Sequence, residues 1–162
     1  MNSTDKITKS QKRIINRLVD CEESLSNLYH SCAEKFPDMS LLWRKLSRQE
    51  RGHANMLKGL LKLVDRGYII RNLGKLDAVS IDVLQNVIAS AREKLENNYL
   101  GSREALAIAL GCENSIIDAH LYDVAKCDAP EFRLVGSALS RETASHACEL
   151  EMALKEHCRQ VA

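Results

Sequence analysis

Apolar residues recur along this chain at intervals of three and four, the spacing of one face of an α-helix. The two-residue alternation of a half-buried strand is absent. Ile15, Leu18, Leu25, Leu28 and Phe36 share a stripe and predict a first helix over about 10–35, stopped before Pro37 because the residue preceding a proline avoids helical angles. Leu42, Leu46, Leu57, Leu60 and Val64 predict a second helix over about 38–65, with Gly67 to close it. The segment GYIIRNLGKLDAVS reads as a connector, and 81–98 carries a further amphipathic helix ending around NNYLGS. A third long helix is expected over about 102–126 and a fourth over about 130–160. Pro130 suits the first turn of the latter, where its missing N–H has no bond to lose.

The pattern occurs twice. When Pro37 is aligned with Pro130, Leu41 meets Leu134, LSR at 46–48 meets LSR at 139–141, His53-Ala54 meets His146-Ala147, and Leu57 meets Leu150, without a gap. Backwards, with two extra residues in the second turn, CEES at 21–24 meets CENS at 112–115. The repeated unit is a helical hairpin. Two such hairpins about a pseudo-two-fold axis make a four-helix bundle, provided a long connection carries the chain from the end of the second helix to the start of the third. The connector with its own helix provides that crossover. The resulting division is a single domain over 1–162, with hairpin 1 at about 10–66, the crossover at about 67–101 and hairpin 2 at about 102–160.

Composition narrows the function classes. Only two prolines and seven glycines interrupt the 162 residues, a length that buries a core without depending on disulfides or metal. Lys and Arg total 23 against 22 acidic residues, and the charges are interspersed, which argues against a nucleic-acid or anionic-lipid footprint. The start, MNSTDKITKSQKR, lacks the apolar segment of a signal peptide, and no apolar run approaches membrane-spanning length. A cytoplasmic protein is expected. Its six cysteines (21, 32, 112, 127, 148 and 158) form no C-x-x-C pair and read as reduced, mostly buried thiols.

The candidate chemistry lies on the apolar stripes. Glu50 and His53 are three apart, about 60° around the helix axis, and are flanked on the stripe by Leu46 and Leu57. Both therefore face the core, where an ionised carboxylate costs several kcal/mol unless it is paired or coordinates a cation. Glu22 sits between Leu18 and Leu25, and Glu113 between Leu106 or Leu110 and Ile116 or Ile117. The repeat makes Glu22 equivalent to Glu113 and His53 to His146, so three carboxylates and two imidazoles converge on the middle of the bundle. Taken singly, each has a plainer reading. A buried histidine often just bonds a carboxylate, and a register shift of one residue would exchange Glu22 for its neighbour Glu23. Cys21 and Cys112, just before the two glutamates, read as packing residues.

With these residues in view, the chain resembles the ferritin-like superfamily, and within it the rubrerythrin-type di-iron proteins, over about 10–158. In those proteins each hairpin supplies a glutamate from its first helix and E-x-x-H from its second, all pointing inward. Glu22 and Glu113 match the first-helix glutamates, Glu50 and His53 the first E-x-x-H, and His146 the second histidine. Tyr29, seven residues after Glu22, matches a tyrosine common beside such sites. There are two departures. Thr143 stands where the second E-x-x-H needs its carboxylate, and Glu142, about 100° away around the axis, is expected to replace it only if the helix distorts or rotates locally. His120 occupies the repeat position of Tyr29, two turns beyond Glu113 on the expected third helix. It reads as a buried, bonded histidine, with a proton donor or an unusual ligand as the alternatives.

The resemblance implies an all-α, ferritin-like four-helix bundle that binds iron, as two ions or as one if the missing carboxylate disables the second position. Manganese and zinc suit the same donors. It further implies peroxide or oxygen reduction, or ferrous-iron oxidation, with hydroxylation of an organic substrate as a third possibility. No rubredoxin-type pair of C-x-x-C motifs is present, so electrons would come from a separate protein or a thiol. The opposing reading is a redox-inactive bundle with a structural or partner-binding role. A homodimer or higher oligomer is expected, through Val83, Leu84, Val87 and Ile88 on the extra helix.

Overall fold

The apolar spacing is realised as helix throughout. A computed structural model describes residues 3–68, 78–122 and 130–161. Among these residues the chain forms α1 (Ser3–Lys35), a single 3-10 turn (Pro37–Met39), α2 (Ser40–Asp65), α3 (Ala78–Glu96), α4 (Ser102–Asp118) and α5 (Pro130–Val161), with no strand. Helix α1 packs along α2 and α4 along α5, while α3 lies chiefly on α1 and also touches α4. None of these helices is long and apolar enough to cross a membrane.

The two second helices use the same three-and-four spacing to face the core. On α2 the buried stripe runs Trp43, Leu46, Glu50, His53, Leu57, Leu60 and Val64. On α5 it runs Phe132, Leu139, Thr143, His146 and Leu150. Burying each large apolar member stabilises the fold by roughly 1.5–3 kcal/mol, so the polar members are held in place by neighbours with no freedom to leave. The α1–α2 seam is further fastened where Ser26 and Ser47 each donate to the other's backbone carbonyl at 2.8 Å.

The helix ends explain one correction. Three helices finish in the same motif, in which a residue with left-handed backbone follows the C-cap and two backwards N–H bonds satisfy the last carbonyls. Gly67 (φ 92) closes α2, Asn98 (φ 60) closes α3 and His120 (φ 50) closes α4. For α4, His120 N donates to Ile117 O and Leu121 N to Ile116 O. The expected helix over 102–126 therefore stops at Asp118, and residues 123–126 lie outside the described set. His120 is an exposed cap residue rather than a buried histidine two turns beyond Glu113.

The extra helix divides its apolar residues between two faces. Ile81, Leu84 and Ile88 are buried in the core, whereas Val79, Val83 and Val87 are exposed. Of the residues expected to form an external face, Leu84 and Ile88 are thus already used within the chain. Cys21, Cys32 and Cys112 are buried free thiols, Cys148 and Cys158 are exposed free thiols, and Cys127 lies outside the described residues.

The contrast between Leu46, fully buried, and Leu41, 84% exposed, gives a check on the helix register. Leu46→Ala is expected to lower unfolding stability by about 2–5 kcal/mol, and Leu41→Ala by no more than about 0.5 kcal/mol. Urea denaturation followed by circular dichroism measures both.

Candidate metal centre

The stripe positions converge as the repeat predicts. Glu22, Glu50, His53, Glu113, Thr143 and His146 are all at most 1% exposed. The register at Glu22 is settled by its neighbour, since Glu23 is exposed and accepts from Lys58 Nζ at 2.5 Å. His53 Nδ1 lies 2.8 Å from Glu50 Oε2 and 3.4 Å from Glu22 Oε2. His146 Nδ1 lies 2.7 Å from Glu50 Oε1 and 3.7 Å from Glu113 Oε1. The two imidazoles stack, with ring centroids 5.3 Å apart and planes inclined by 22°. Glu50, His53 and His146 each bring one ligating atom within 4.8 Å of the others.

Around this centre, Tyr29 Oη donates to Glu113 Oε1 at 2.7 Å. The tyrosine ring is backed by Trp43, with centroids 5.6 Å apart, and both rings are fully buried. Trp43 was not expected near the site. Its only signal in the sequence is its place at the head of the Leu46, Glu50, His53 stripe. Glu142 also enters, without any break in α5: its Oε2 is 3.0 Å from His53 Nε2. In a regular helix Glu142 thus reaches the outer nitrogen of His53 and does not take the inward place that Thr143 leaves without a carboxylate. The structure therefore gathers Glu22, Tyr29, Glu50, His53, Glu113, Glu142 and His146, and leaves His120 on the surface.

Burial and crowding set the protonation. Desolvation, then the charge of Glu50, push the Glu22 carboxyl well above its ordinary range. The same two causes raise Glu113 to about 7, against the nearby imidazole of His146 and the hydrogen bond from Tyr29. Burial works against the charge on Glu50, but the close approach of Glu22, His146 and His53, the last within hydrogen-bond distance, outweighs it and holds this carboxylate below the usual range. Burial opposes charge on the imidazoles as well, yet the surrounding carboxylates win, raising His53 to about 11 and His146 to about 9. Desolvation pushes the Cys112 thiol up to about 12 and Cys21 up as well, so neither is a ready thiolate ligand.

Whether these residues suit a metal ion is decided by what they leave unpaired. Both oxygens of Glu22, Glu50 Oε1, Glu113 Oε2 and both ring nitrogens of His146 are buried without a hydrogen-bond partner. The 2.7 Å approach of His146 to Glu50 is thus a contact without hydrogen-bond alignment. Among the described residues, no lysine or arginine pairs with Glu22, Glu50 or Glu113; their only ion-pair partners are the two histidines. Buried carboxylate oxygens and ring nitrogens without partners are atoms whose chemistry suits a divalent cation.

Comparison of the chain with protein-family models, with curated proteins and with solved structures gives no match.

The raised groups give the metal-free protein a defined pH response. Glu113 keeps its proton in the fold up to about 7 but loses it near 4.5 when unfolded, so stability falls as pH rises between those values. His146 adds stability that is complete below 6.5 and lost as pH rises through about 9. Both run the same way. Apo protein is expected to lose at least about 5 °C in Tm between pH 6 and pH 9, read by calorimetry. Saturating divalent metal should oppose this loss, with a stabilisation that grows with pH because the ion displaces protons.

Proposed function

We propose that this chain is a metal-binding protein of the ferritin-like, rubrerythrin type, holding iron at Glu22, Glu50, His53, Glu113 and His146. The observation that carries this reading is the set of buried, unpartnered carboxylate and imidazole atoms that the two repeated hairpins bring together. Carboxylates with imidazoles suit ferrous iron, and manganese and zinc are accepted by the same set. Bound iron supplies electron transfer toward peroxide or dioxygen, or its own oxidation from the ferrous state. Electrons for that reaction come from a separate protein or from a thiol.

The protein's own residues have distinct tasks around that ion. His53 presents Nδ1 to Glu50 and Glu22, which makes Nδ1 its ligating atom. Its other nitrogen then donates to Glu142 Oε2. A carboxylate on the far side of a ligating histidine fixes the ring's tautomer and orientation, so Glu142 positions His53 from outside the ligand set. Tyr29 does the same for Glu113, tying up Oε1 and leaving Oε2 free. The side chain of Glu142 is 34% exposed, which also makes it a link through which a proton on His53 Nε2 reaches solvent. Thr143 removes one negative charge from the place equivalent to Glu50, so the second metal position is the weaker one.

A second reading is a bundle without redox chemistry that serves a structural or partner-binding role. It is favoured by the same cluster, because protonated His53 and His146 neutralise part of the carboxylate charge without any ion. Metal analysis separates the two readings. Protein purified anaerobically and given ferrous iron is expected to hold one tightly bound ion, and Thr143→Glu to gain a second with a coupled di-iron spectrum. Absence of any bound transition metal in both forms contradicts the proposal. Glu142→Gln is expected to weaken binding of the tight ion about 10–100-fold, measured by competition with a chelator.

A further inference from the structure

The two hairpins differ at three equivalent positions, and all three differences open the same seam. In the first hairpin, Ser26 and Ser47 bond across α1–α2, Tyr29 fills the adjoining core with its ring, and Glu50 projects its carboxylate inward. Their counterparts in the second are Ile117 with Ser140, then His120, then Thr143. Ile117 cannot form the cross-seam bond, His120 is turned outward by the left-handed cap that ends α4, and Thr143 is shorter than glutamate. A cavity of about 300 Å³ lies there, between α4 and α5, lined by Ile116, Ile117, His120, Tyr122, Ser140, Thr143 and Ala144.

Its chemistry is one-sided. His120, Tyr122, Ser140 and Thr143 offer N–H or O–H donors, Ile116, Ile117 and Ala144 offer apolar surface, and none of the described lining residues is acidic. It is far larger than a single water, which takes ~30 Å³ in the liquid. A second observation points the same way. Glu113 receives the phenol of Tyr29, but its repeat partner Glu22, fully buried, has both oxygens unpartnered, because the position equivalent to Tyr29 is the outward-turned His120. The cavity is lined by the two residues, His120 and Thr143, that stand where the first hairpin has Tyr29 and Glu50.

We infer that the α4–α5 cavity binds a short-chain monocarboxylate, which supplies from outside the carboxylate that Thr143 does not. The carboxylate group is held by the hydroxyl and imidazole donors beside Thr143, and its short alkyl chain lies against Ile116, Ile117 and Ala144. The cavity is one helical turn from both Glu113 and His146, since Ile116 follows Glu113 by three positions and Thr143 precedes His146 by three. The role of the ligand in completing the ion's donor set rests on the proposed metal site. Occupancy of the cavity does not.

The test uses the full chain stripped of metal and titrated with sodium butyrate, sodium chloride serving as the ionic-strength control, and the methyl resonances of Ile116, Ile117, Thr143 and Ala144 followed by NMR. Saturable shifts are expected at these methyls. His120→Gly keeps a residue suited to the left-handed cap while deleting the imidazole, and should weaken butyrate binding at least about ten-fold, the loss of one charge-assisted hydrogen bond. Ala144→Leu, at an exposed lining position, should abolish the shifts by filling the cavity. Thr143→Glu should do so by placing the chain's own carboxylate there. Chelator competition then completes the test: butyrate should tighten ferrous-iron binding in the wild type and not in Thr143→Glu. The inference is overturned by an absence of saturable shifts in the wild type at millimolar butyrate, by shifts undiminished in both His120→Gly and Ala144→Leu, or by iron binding indifferent to butyrate. Iron binding without butyrate binding removes this inference and leaves the metal site standing. Butyrate binding to a protein that takes up no metal removes the metal site instead.

Discussion

The structure turns on the cost of holding three carboxylates out of water in the middle of a helical bundle. Glu22, Glu50 and Glu113 are essentially inaccessible to solvent, and each ionised carboxylate so placed costs several kcal/mol without compensation. The fold cannot relieve that cost by turning them outward. Each sits on a three-and-four stripe whose other members are mostly apolar, and moving one glutamate to the surface would carry its stripe with it. Positive charge must therefore come to the carboxylates. In the metal-free protein the two stacked histidines provide part of it by staying protonated, and protons retained on Glu22 and Glu113 lower the demand further. The oxygens that remain without any partner are what a divalent ion would satisfy.

The centre is also unequal between its halves, and the inequality has one structural origin. In the first hairpin α1 runs on past Tyr29 to Lys35, so the phenol stays on the inner face and reaches Glu113. In the second, α4 ends at Asp118, and the equivalent residue becomes the turn that closes the helix. With Thr143 in place of a glutamate, the second half lacks an inward hydrogen-bond donor and a carboxylate at adjoining positions. One half is packed and bonded; the other holds an open seam with donors along it.

Much of this was legible in the sequence because the determinants are periodic. Helices α1, α2 and α5 follow from apolar spacing alone, and the buried polar positions follow from their leucine neighbours on the same stripe. The end of α4 was not legible, because a histidine in a left-handed cap carries no marker as strong as the glycine that closes α2. The contact of Glu142 with the outer nitrogen of His53 was not legible either: angular position on a helix describes the Cα–Cβ direction, whereas three further rotatable bonds decide where a carboxylate arrives. The division of α3 into buried Leu84 and Ile88 and exposed Val83 and Val87 depends on which neighbour covers which side, and one helix read alone does not contain that information.

Anomalous diffraction at the iron edge, from crystals of the wild-type protein grown anaerobically with ferrous iron, addresses the account most directly. A peak within bonding distance of Glu50 and of Nδ1 of His53, in the space bounded by Glu22, Glu113 and His146, is the predicted result. Crystals that show no anomalous peak there under saturating iron, with the carboxylates and imidazoles paired only to one another, would contradict it.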